Sequence, residues 1–273
     1  MKIATFNING IKARIDALPA WLDEAQPDVV LMQEIKSVDE AFPTEIFEER
    51  GYNVAVHGQK SFNGVGILSK LPLEDVTRGL PGVDGSDPAD EQARYIEATV
   101  VGAQHSVRLC GLYLPNGNPV ELEADGTPVA GGKYAYKLDW MDRLRARAQA
   151  LLAAETPFLM AGDYNIIPQD EDAATPDSWR GDALFRPESH DKWRRLLNLG
   201  LTEAFRARHA GPGHYSFWDY QAGAWNRNNG IRIDHFLLCP YTADLLRDAG
   251  IDKDIRARDK PSDHVPVWVT LDL

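Results

Sequence analysis

The feature that most constrains the fold is a series of nine short apolar runs, rich in β-branched and aromatic residues, spread over all 273 residues. Runs of this length and composition predict β-strands. They account for a large share of the sequence, so we expect much of the chain to be β-structure. The predicted strands are residues 2–8, 28–33, 53–57, 64–69, 95–101, 107–114, 158–162, 231–238 and 265–271.

Helical patterns lie between some of these runs, which predicts a mixed α/β fold. No long Pro/Gly/Ser linker or abrupt change of composition divides the sequence, so we predict one domain over residues 1–273. We also predict an acidic surface loop over residues 81–91 and a long glycine-rich loop over residues 115–132. The three helical patterns consist of Trp21, Leu22 and Ala25; Trp140, Leu144, Ala148, Leu151 and Leu152; and Trp193, Leu196 and Leu197.

Several predicted strands end in a polar residue of the kind that binds hard cations or phosphate. An apolar strand that ends in such a residue places it on a rigid rim, where several strand ends can converge. These oxygen donors suit Mg²⁺ or Mn²⁺, and no Cys/His spacing typical of zinc is found. The polar ends are Asn7 and Asn9, Gln33 and Glu34, Asn116, Asp163 and Asn165, Asp234, and Asp263 with His264.

Each of these residues has a simpler interpretation when it is taken singly. A carboxylate after a strand is more often a turn residue or a helix cap. Asn7 and Asn165 could equally be Asx-turn residues, and His264 alone is more typical of a hydrogen-bonded structural histidine. Only the combination and spacing of these residues favour a functional site.

The formal net charge of −12 argues, taken alone, against binding to nucleic acid. Phosphate backbones are held mainly by lysine and arginine through counterion release. The objection weakens if the acidic residues gather in a metal site and on the far face, which would leave a basic rim. Charge therefore lowers the expectation of a DNA-binding protein without deciding it.

The two cysteines and the start of the chain bear on the compartment. Cys110 and Cys239 each lie in an apolar, strand-like run, which suits reduced core thiols better than a disulfide. The start of the sequence does not read as a signal peptide, and no window approaches a membrane span. We therefore expect a cytoplasmic protein with no membrane association.

Five blocks of the sequence contain most of these polar residues: Phe6-Asn7-Ile8-Asn9-Gly10, Gln33-Glu34, Gly162-Asp163-Tyr164-Asn165, Arg232-Ile233-Asp234 and Pro261-Ser262-Asp263-His264. In order and approximate spacing they resemble the signature blocks of the exonuclease III and abasic-endonuclease family. Similarity extends through residues 26–30, 57–60 and 217–220 and covers nearly the whole chain. The resemblance implies a four-layer α/β sandwich, with two central mixed β-sheets flanked by helices, as in the wider DNase-I-like superfamily. It also implies Mg²⁺- or Mn²⁺-dependent hydrolysis of DNA.

The same resemblance implies a role for each matching residue. Glu34 would bind the metal, with Asn7 beside it and Asp263 near the same site. Asp163 would orient or deprotonate the attacking water. Asp234 would fix the tautomer of His264, so that the other ring nitrogen faces the scissile phosphate. Finally, Asn165 and Asn116 would donate to phosphate oxygens, and Tyr113 would lie against the same phosphate or the leaving oxygen.

Substrate recognition is expected from two further groups of residues. The resemblance implies an abasic-sugar pocket, whereas the simpler interpretation makes its residues part of the core. Basic residues are expected to contact the DNA backbone, although each could be an ordinary surface charge. The pocket residues are Phe217, Trp218, Ile231 and Ile233, and the basic residues are Lys12, Arg14, Lys133, Lys137, Arg227 and Arg232.

The resemblance favours one function over two alternatives. It implies a monomeric DNA-repair enzyme that acts on double-stranded DNA with abasic sites or damaged 3′ ends. It would cut 5′ to abasic sites and trim 3′ ends as a 3′-to-5′ exonuclease. One alternative is a phosphodiesterase of the same fold that acts on a lipid or inositol phosphate. The other is a catalytically silent DNA-binding or scaffold protein. Such a protein would be expected to have lost a metal-binding residue, whereas every expected catalytic position is filled in this sequence.

Overall fold

Two six-stranded mixed β-sheets form the centre of the fold in the computed structural model, which describes residues 1–82, 90–102 and 105–273. The first sheet has the order β11-β12-β1-β2-β4-β3, and the second has the order β5-β6-β7-β8-β10-β9. The strands in chain order are β1 (Lys2–Asn7), β2 (Val29–Gln33), β3 (Asn53–His57), β4 (Val65–Ser69), β5 (Leu73–Arg78), β6 (Tyr95–Val101), β7 (Ser106–Tyr113), β8 (Phe158–Asp163), β9 (Thr202–Glu203), β10 (Asp234–Leu238), β11 (Leu246–Ile251) and β12 (Val267–Leu271).

Helices lie on the outer faces of both sheets. They are α1 (Ala17–Ala25), α2 (Thr44–Glu48), α3 (Lys133–Ala153), α4 (Pro187–Leu197) and α5 (Pro240–Asp244). Short 3₁₀ helices span Ile11–Arg14, Asp39–Ala41, Asp170–Asp172, Pro176–Trp179 and Lys253–Ala257. None of the described helices is long and apolar enough to cross a bilayer.

Central strands of both sheets, among them β1, β2, β8 and β10, are buried on both faces, so that two outer layers cover the two sheets. In β1, Ile3 packs into the cluster between the sheets, while its neighbour Ala4 packs outward against α1. In the second sheet, Leu159 of β8 faces the first sheet, and Met160 packs against Trp140 of α3. Because successive side chains of a strand point to opposite faces, a strand covered on both sides is apolar throughout. The predicted four-layer α/β sandwich is confirmed.

All nine predicted strands are present, but three others were not predicted. Strands β5 and β11 are edge strands with exposed charged residues, and β9 has only two residues, so their apolar patterns are weak. The predicted strand at residues 231–238 begins only at Asp234. Ile231 forms isolated bridges to Ala173 and Phe217 instead of extending that strand. The loop predicted at residues 81–91 lies mostly outside the described residues.

Polar strand ends from both sheets meet at one end of the sandwich. Strands β1 and β2 are parallel, and Asn7 pairs in register with Gln33. Strands β7 and β8 are also parallel, with Tyr113 paired to Asp163, and β10 begins at Asp234 opposite Asp163. The carboxyl ends of these four strands and the start of β10 therefore surround one cleft.

Candidate active site

Asn7 joins the two sheets at this end of the sandwich. Its Nδ2 donates to Oε1 of Glu34 at 3.0 Å and to Oδ2 of Asp163 at 2.9 Å. Its Oδ1 accepts the backbone N–H of Asn9 at 3.1 Å, which is an Asx turn. Asn7 is fully buried and lies beside Glu34, with its amide N–H groups on the two carboxylates, and its role at the metal stays a prediction. It holds the two acidic side chains in place.

Asp163, His264 and Asp234 form a buried chain of acidic and basic groups. Nδ1 of His264 lies 2.9 Å from Oδ2 of Asp234, and Nε2 lies 3.6 Å from Oδ2 of Asp163. The hydroxyl of Ser216 donates to Oδ2 of Asp234 at 2.6 Å. It also accepts the backbone N–H groups of Ile233 and Asp234, each at 3.2 Å. The predicted Asp234–His264 pair is therefore present, and its free ring nitrogen faces Asp163.

Burial and charge together set the protonation of this chain. Burial raises the pKa of Asp163, and the charge of Asp234 raises it further against the opposing effect of His264. Burial disfavours a charged His264, but Asp234 and Asp163 outweigh it and raise the pKa of the imidazole. We therefore describe His264 as an imidazolium held between two carboxylates, with the proton equilibria of Asp163 and His264 linked.

Glu34 lies in a second, partly exposed cluster of polar groups. The Lys36 ammonium lies 2.8 Å from Oε2 of Glu34 and donates a short hydrogen bond to Oδ1 of Asn9. Nδ2 of Asn9 donates in turn to Oδ1 of Asp263 at 2.9 Å. Glu34, Lys36 and Asn9 all have positive φ angles, of 50°, 50° and 47°. Such backbone angles are uncommon outside glycine and concentrate at functional sites.

The donor set around Glu34 fits a hard divalent cation. A carboxylate oxygen and an amide oxygen already converge on the Lys36 ammonium, so this position attracts positive charge. Asp163, Asp234 and His264 also lie within 4.8 Å of one another and form a second possible cluster. That cluster is buried, and its Asp234 and His264 atoms are hydrogen-bonded to each other. We therefore assign the candidate metal position to Glu34, with Asp263 nearby.

Two asparagine amides lie on the other side of Asp163. The backbone N–H of Asn165 donates to Oδ1 of Asp163 at 2.9 Å. Nδ2 of Asn165 donates to the carbonyl of Leu114 at 2.9 Å, and its Oδ1 accepts Nδ2 of Asn116 at 3.1 Å. Each amide nitrogen keeps a second hydrogen that these bonds do not use. Both predicted phosphate donors are thus brought together beside Asp163.

Tyr113 ends β7 next to the two acidic clusters. Burial raises the pKa of its phenol, and the carboxylates of Glu34 and Asp163 raise it further. The phenol is therefore a neutral hydrogen-bond donor. The guanidinium of Arg94 lies 4.9 Å from the Tyr113 ring centroid and donates to the Tyr113 carbonyl at 3.3 Å.

The predicted sugar pocket is only partly formed by the predicted residues. A cavity of about 270 Å³ is lined by Phe217 and Ile231, together with Trp179 and Arg227. The Phe217 ring meets the His264 ring edge-on, with centroids 5.0 Å apart, so the cavity adjoins His264. Ile233 is buried in the same apolar cluster as Ile231 and is not one of the residues that line the cavity.

Trp218 requires a correction. Its side chain is fully buried in the cluster under α1, on the opposite side of its strand-like segment from Phe217. The ring meets Trp225 edge-on at 5.0 Å, and its Nε1 donates to Asn228. Adjacent residues of an extended segment point to opposite sides, so Phe217 faces the site while Trp218 faces the core.

Of the six basic residues predicted to contact DNA, three are exposed. They are Lys12, Lys133 and Arg227. Arg14 is 9% exposed and donates to the hydroxyl of Tyr220 at 2.7 Å, so it supports a surface tyrosine.

Arg232 and Lys137 are fully buried, and the structure corrects both predictions. Arg232 is paired with Asp172 and Glu203 at 2.8 and 2.9 Å, so it cannot meet a phosphate backbone. Lys137 donates to backbone carbonyls inside the protein. In both cases the buried polar group is hydrogen-bonded to partners that are distant in sequence.

Three residues of the site were not singled out from the sequence: Lys36, Arg94 and Ser216. Lys36 stands two positions after Glu34, next to a signature block that could have drawn attention to it. Ser216 directly precedes Phe217, but a lone serine carries no signal of its partner. Arg94 had no signal at all, because its contact with Tyr113 depends on the pairing of β6 with β7.

Comparison with known proteins identifies the family. The Endonuclease/Exonuclease/phosphatase family profile matches residues 4–264, a span that includes all the strand ends described above. The chain is 37% identical to exodeoxyribonuclease III of Haemophilus influenzae over 277 aligned residues, covering 98% of each chain. It is 28% identical to the DNA repair nuclease APEX1 of Danio rerio, covering 99% of this chain and 82% of that one.

Solved structures are similar over the full length. An AP endonuclease from Archaeoglobus fulgidus superposes with a TM-score of 0.88 at 34% identity, covering 100% of both chains. The 3′ phosphatase NExo from Neisseria, solved with a product DNA hairpin, gives a TM-score of 0.90 at 32% identity and the same coverage. This chain therefore shares its fold with both of these solved structures.

Proposed function

We propose that this chain, which belongs to the endonuclease/exonuclease/phosphatase family, is a DNA-repair nuclease that hydrolyses DNA 5′ to abasic sites and trims 3′ ends. The observation that carries the proposal is the placement of Asp163. Its Oδ2 is held by Nδ2 of Asn7 and faces Nε2 of His264, while its Oδ1 is held by Asn165. A carboxylate fixed in this way is oriented to act on one water molecule.

The chemistry follows from the groups around Asp163. Phosphodiester hydrolysis requires a nucleophilic water and neutralisation of the charge that develops on phosphate. Asp163 takes the proton from the water, since its raised pKa makes it a stronger base than an ordinary carboxylate. His264, held as an imidazolium by Asp234, donates from Nε2 to a phosphoryl oxygen. The unused amide hydrogens of Asn116 and Asn165 donate to the same phosphate.

Glu34 is the proposed ligand of a divalent metal, with Asp263 in the same cluster. Members of the family depend on a divalent metal. Mg²⁺ or Mn²⁺ suits these oxygen donors, because both ions accept a carboxylate together with water and substrate phosphate. When bound, the ion supplies charge neutralisation at the phosphate and the leaving oxygen. Tyr113, a neutral phenol beside Glu34, donates a hydrogen bond to the leaving side.

The cavity beside Phe217 and Ile231 is the proposed site for the baseless sugar. It is apolar at Phe217, Ile231 and Trp179 and adjoins His264, which faces the scissile phosphate. A pocket of about 270 Å³ suits a flipped deoxyribose better than a whole nucleotide. The exposed Lys12, Lys133 and Arg227 are the proposed backbone contacts, and they offset the net charge of −12 locally.

Four further expectations belong to this proposal. We propose that residues 1–273 form one domain, which is supported by the apolar cluster shared between the two sheets. We also propose that the protein is a monomer and that it acts in the cytoplasm, the latter supported by its similarity to a bacterial exodeoxyribonuclease III. Double-stranded DNA with abasic sites or damaged 3′ ends is the proposed partner.

A cleavage assay with four substrates tests the proposal. The substrates are a duplex with one abasic analogue, an intact duplex, a 3′-phosphate-ended duplex and an inositol phosphate, each with Mg²⁺ and with chelator. We expect metal-dependent incision 5′ to the abasic analogue and removal of the 3′ phosphate. Turnover of the inositol phosphate with no cleavage of any DNA would contradict the proposal and support the lipid or inositol phosphodiesterase.

A further inference from the structure

Lys137 is a buried lysine that the proposed chemistry does not use. It lies in the second turn of α3, and none of its side chain is exposed. Fully buried lysines are rare, because removing an ammonium group from water is costly unless it is paired. The charges of Asp182 and Asp163 favour its protonated form, but neither carboxylate forms an ion pair with it among the described residues. Its retention at this position therefore requires an explanation.

The amine of Lys137 bonds to the backbone of both phosphate-binding asparagines. Nζ donates to the carbonyl of Asn116 at 3.0 Å and to the carbonyl of Asn165 at 2.6 Å. No backbone N–H of the described residues donates to either carbonyl. Burial lowers the pKa of Lys137 to about 7, and even a neutral amine has the two N–H groups that these carbonyls need.

The loop that carries Asn116 is packed directly on the Lys137 side chain. Gly117 has a φ of 90°, and a Cβ atom added there would lie 2.7 Å from Cδ of Lys137. The far side of the loop is held by Asn118, whose Nδ2 donates to Oδ1 of Asp182 at 3.0 Å. The loop is therefore fixed between α3 and the turn at Asp182.

We propose that Lys137 is a positioning residue that locks the Asn116 loop to the Asn165 loop, so that both amides point at the same phosphate. This inference rests on the proposed function, because it concerns the phosphate donors of that site. The hydrogen bond between the Asn116 and Asn165 side chains has a length of 3.1 Å and completes a ring of contacts with the two carbonyl bonds. Lys137 itself touches no substrate.

Replacing Lys137 with methionine tests the role, because methionine fills similar space and has no donor. We expect kcat for abasic-site incision to fall roughly 10- to 100-fold, since misplaced donors weaken stabilisation of the transition state. KM for the duplex should change little, because the exposed basic residues that hold the backbone are untouched. Lys192→Met is the matched control, a lysine of α4 that pairs with Asp142, and it should keep the wild-type kcat.

A double-mutant cycle separates positioning from a general loss of stability. If Lys137 acts through the amides, Lys137→Met should reduce kcat by less than about threefold in an Asn165→Ala background. Effects that multiply fully in the double variant would overturn the proposal, as would a wild-type kcat for Lys137→Met. An inactive wild-type protein would instead contradict the proposed function.

Two further variants keep the test decisive if Lys137→Met does not fold. Lys137→Gln retains an amide donor and should recover part of the lost kcat. Gly117→Ala should lower kcat at least about tenfold, because its added methyl group displaces the loop from Lys137. Wild-type turnover by a folded Gly117→Ala protein would overturn the proposal.

Discussion

Oδ2 of Asp163 lies 3.6 Å from Nε2 of His264 and 2.9 Å from Nδ2 of Asn7, so one carboxylate oxygen is shared between a cation and an amide. Asp163→Asn preserves the shape of the side chain and removes its ability to accept a proton. We expect kcat to fall at least about 10³-fold, with the circular dichroism spectrum unchanged. Turnover within tenfold of the wild type would remove Asp163 from the mechanism.

The pH dependence of kcat/KM follows from the same pair of residues. Burial raises the pKa of Asp163, with a further contribution from Asp234, and the carboxylate must be unprotonated to accept a proton. Activity should therefore be lost as pH falls through that raised value, well above the ordinary range for aspartate of about 4. The measurement is a kcat/KM profile at saturating metal, and it reports the linked Asp163–His264 pair.

Ser216→Ala provides a comparison for this profile. The variant removes a 2.6 Å hydrogen bond to Asp234, the partner that favours the charged form of His264. We expect the acid limb of the kcat/KM profile of this variant to shift relative to the wild type, because the charge of Asp234 affects both Asp163 and His264. A loss of wild-type activity only near pH 4 would contradict the raised pKa that burial gives the Asp163 carboxyl.

Metal dependence should respond in opposite directions to two neighbouring substitutions. Glu34→Gln removes the proposed ligand, so the Mg²⁺ concentration for half-maximal activity should rise at least about tenfold. Lys36→Met removes an ammonium group 2.8 Å from the same carboxylate, so that concentration should fall. Titration of activity and calorimetric Mg²⁺ binding give independent readouts. Equal metal requirements in the three proteins would place the metal elsewhere.

The polar ends of the strands could be predicted from the sequence because the apolar pattern of a strand is a local feature of the chain. Each predicted strand is a short apolar run, and the residue at its end follows directly in the chain. Asn7, Glu34 and Asp163 were therefore identified before their contacts were known. Their convergence depends on the pairing of β1 with β2 and of β7 with β8, which local patterns do not contain; the family resemblance implied only the layered fold.

Two predictions of DNA contacts were wrong, and both concern charged residues whose partners lie far away in sequence. Arg232 looks like a surface cation until it is paired with Asp172, 60 positions earlier. Lys137 depends on carbonyls 21 and 28 positions away, and a carbonyl has no signature in a sequence. The prediction that Trp218 lines the sugar pocket was wrong for a different reason. The sequence does not determine which face of its segment the side chain occupies. Burial of polar groups is thus a property of the assembled fold.

The buried Arg232 predicts a large loss of stability on substitution. Arg232→Met leaves the buried carboxylates of Asp172 and Glu203 without this partner. We expect the free energy of unfolding at neutral pH to fall by about 3–5 kcal/mol, measured by urea denaturation. Arg258→Met, which breaks an exposed pair with Glu24, should change it little.

Acid titration sharpens this test of Arg232. Burial opposes the charged form of Glu203, but Arg232 and His235 outweigh it and lower its pKa to about 2. A lowered pKa in the folded state contributes stability above the unfolded value of about 4.3, which is lost as pH falls towards 2. Arg232→Met should therefore lose less of its unfolding free energy between pH 5 and 3 than the wild type, and equal losses would contradict the pairing.

The cavity beside Phe217 predicts a separation of two activities. Ile231 lines this cavity of about 270 Å³, and a tryptophan there would fill much of it. Incision 5′ to an abasic site places the baseless sugar on the 3′ side of the scissile phosphate, whereas a terminal 3′ phosphate has no nucleotide on that side. Ile231→Trp should therefore lower kcat/KM for abasic incision by roughly tenfold or more and leave removal of a 3′ phosphate within about threefold.

Ile231→Val is the control for this prediction, since it enlarges the cavity by one methylene and should keep both activities. The two substrates are assayed with the same enzyme preparation, so a loss of stability would lower both rates together. The ratio of the two kcat/KM values is then independent of the folded fraction. An unchanged ratio in Ile231→Trp would show that the sugar does not enter the cavity beside Phe217 and that another surface selects abasic sites.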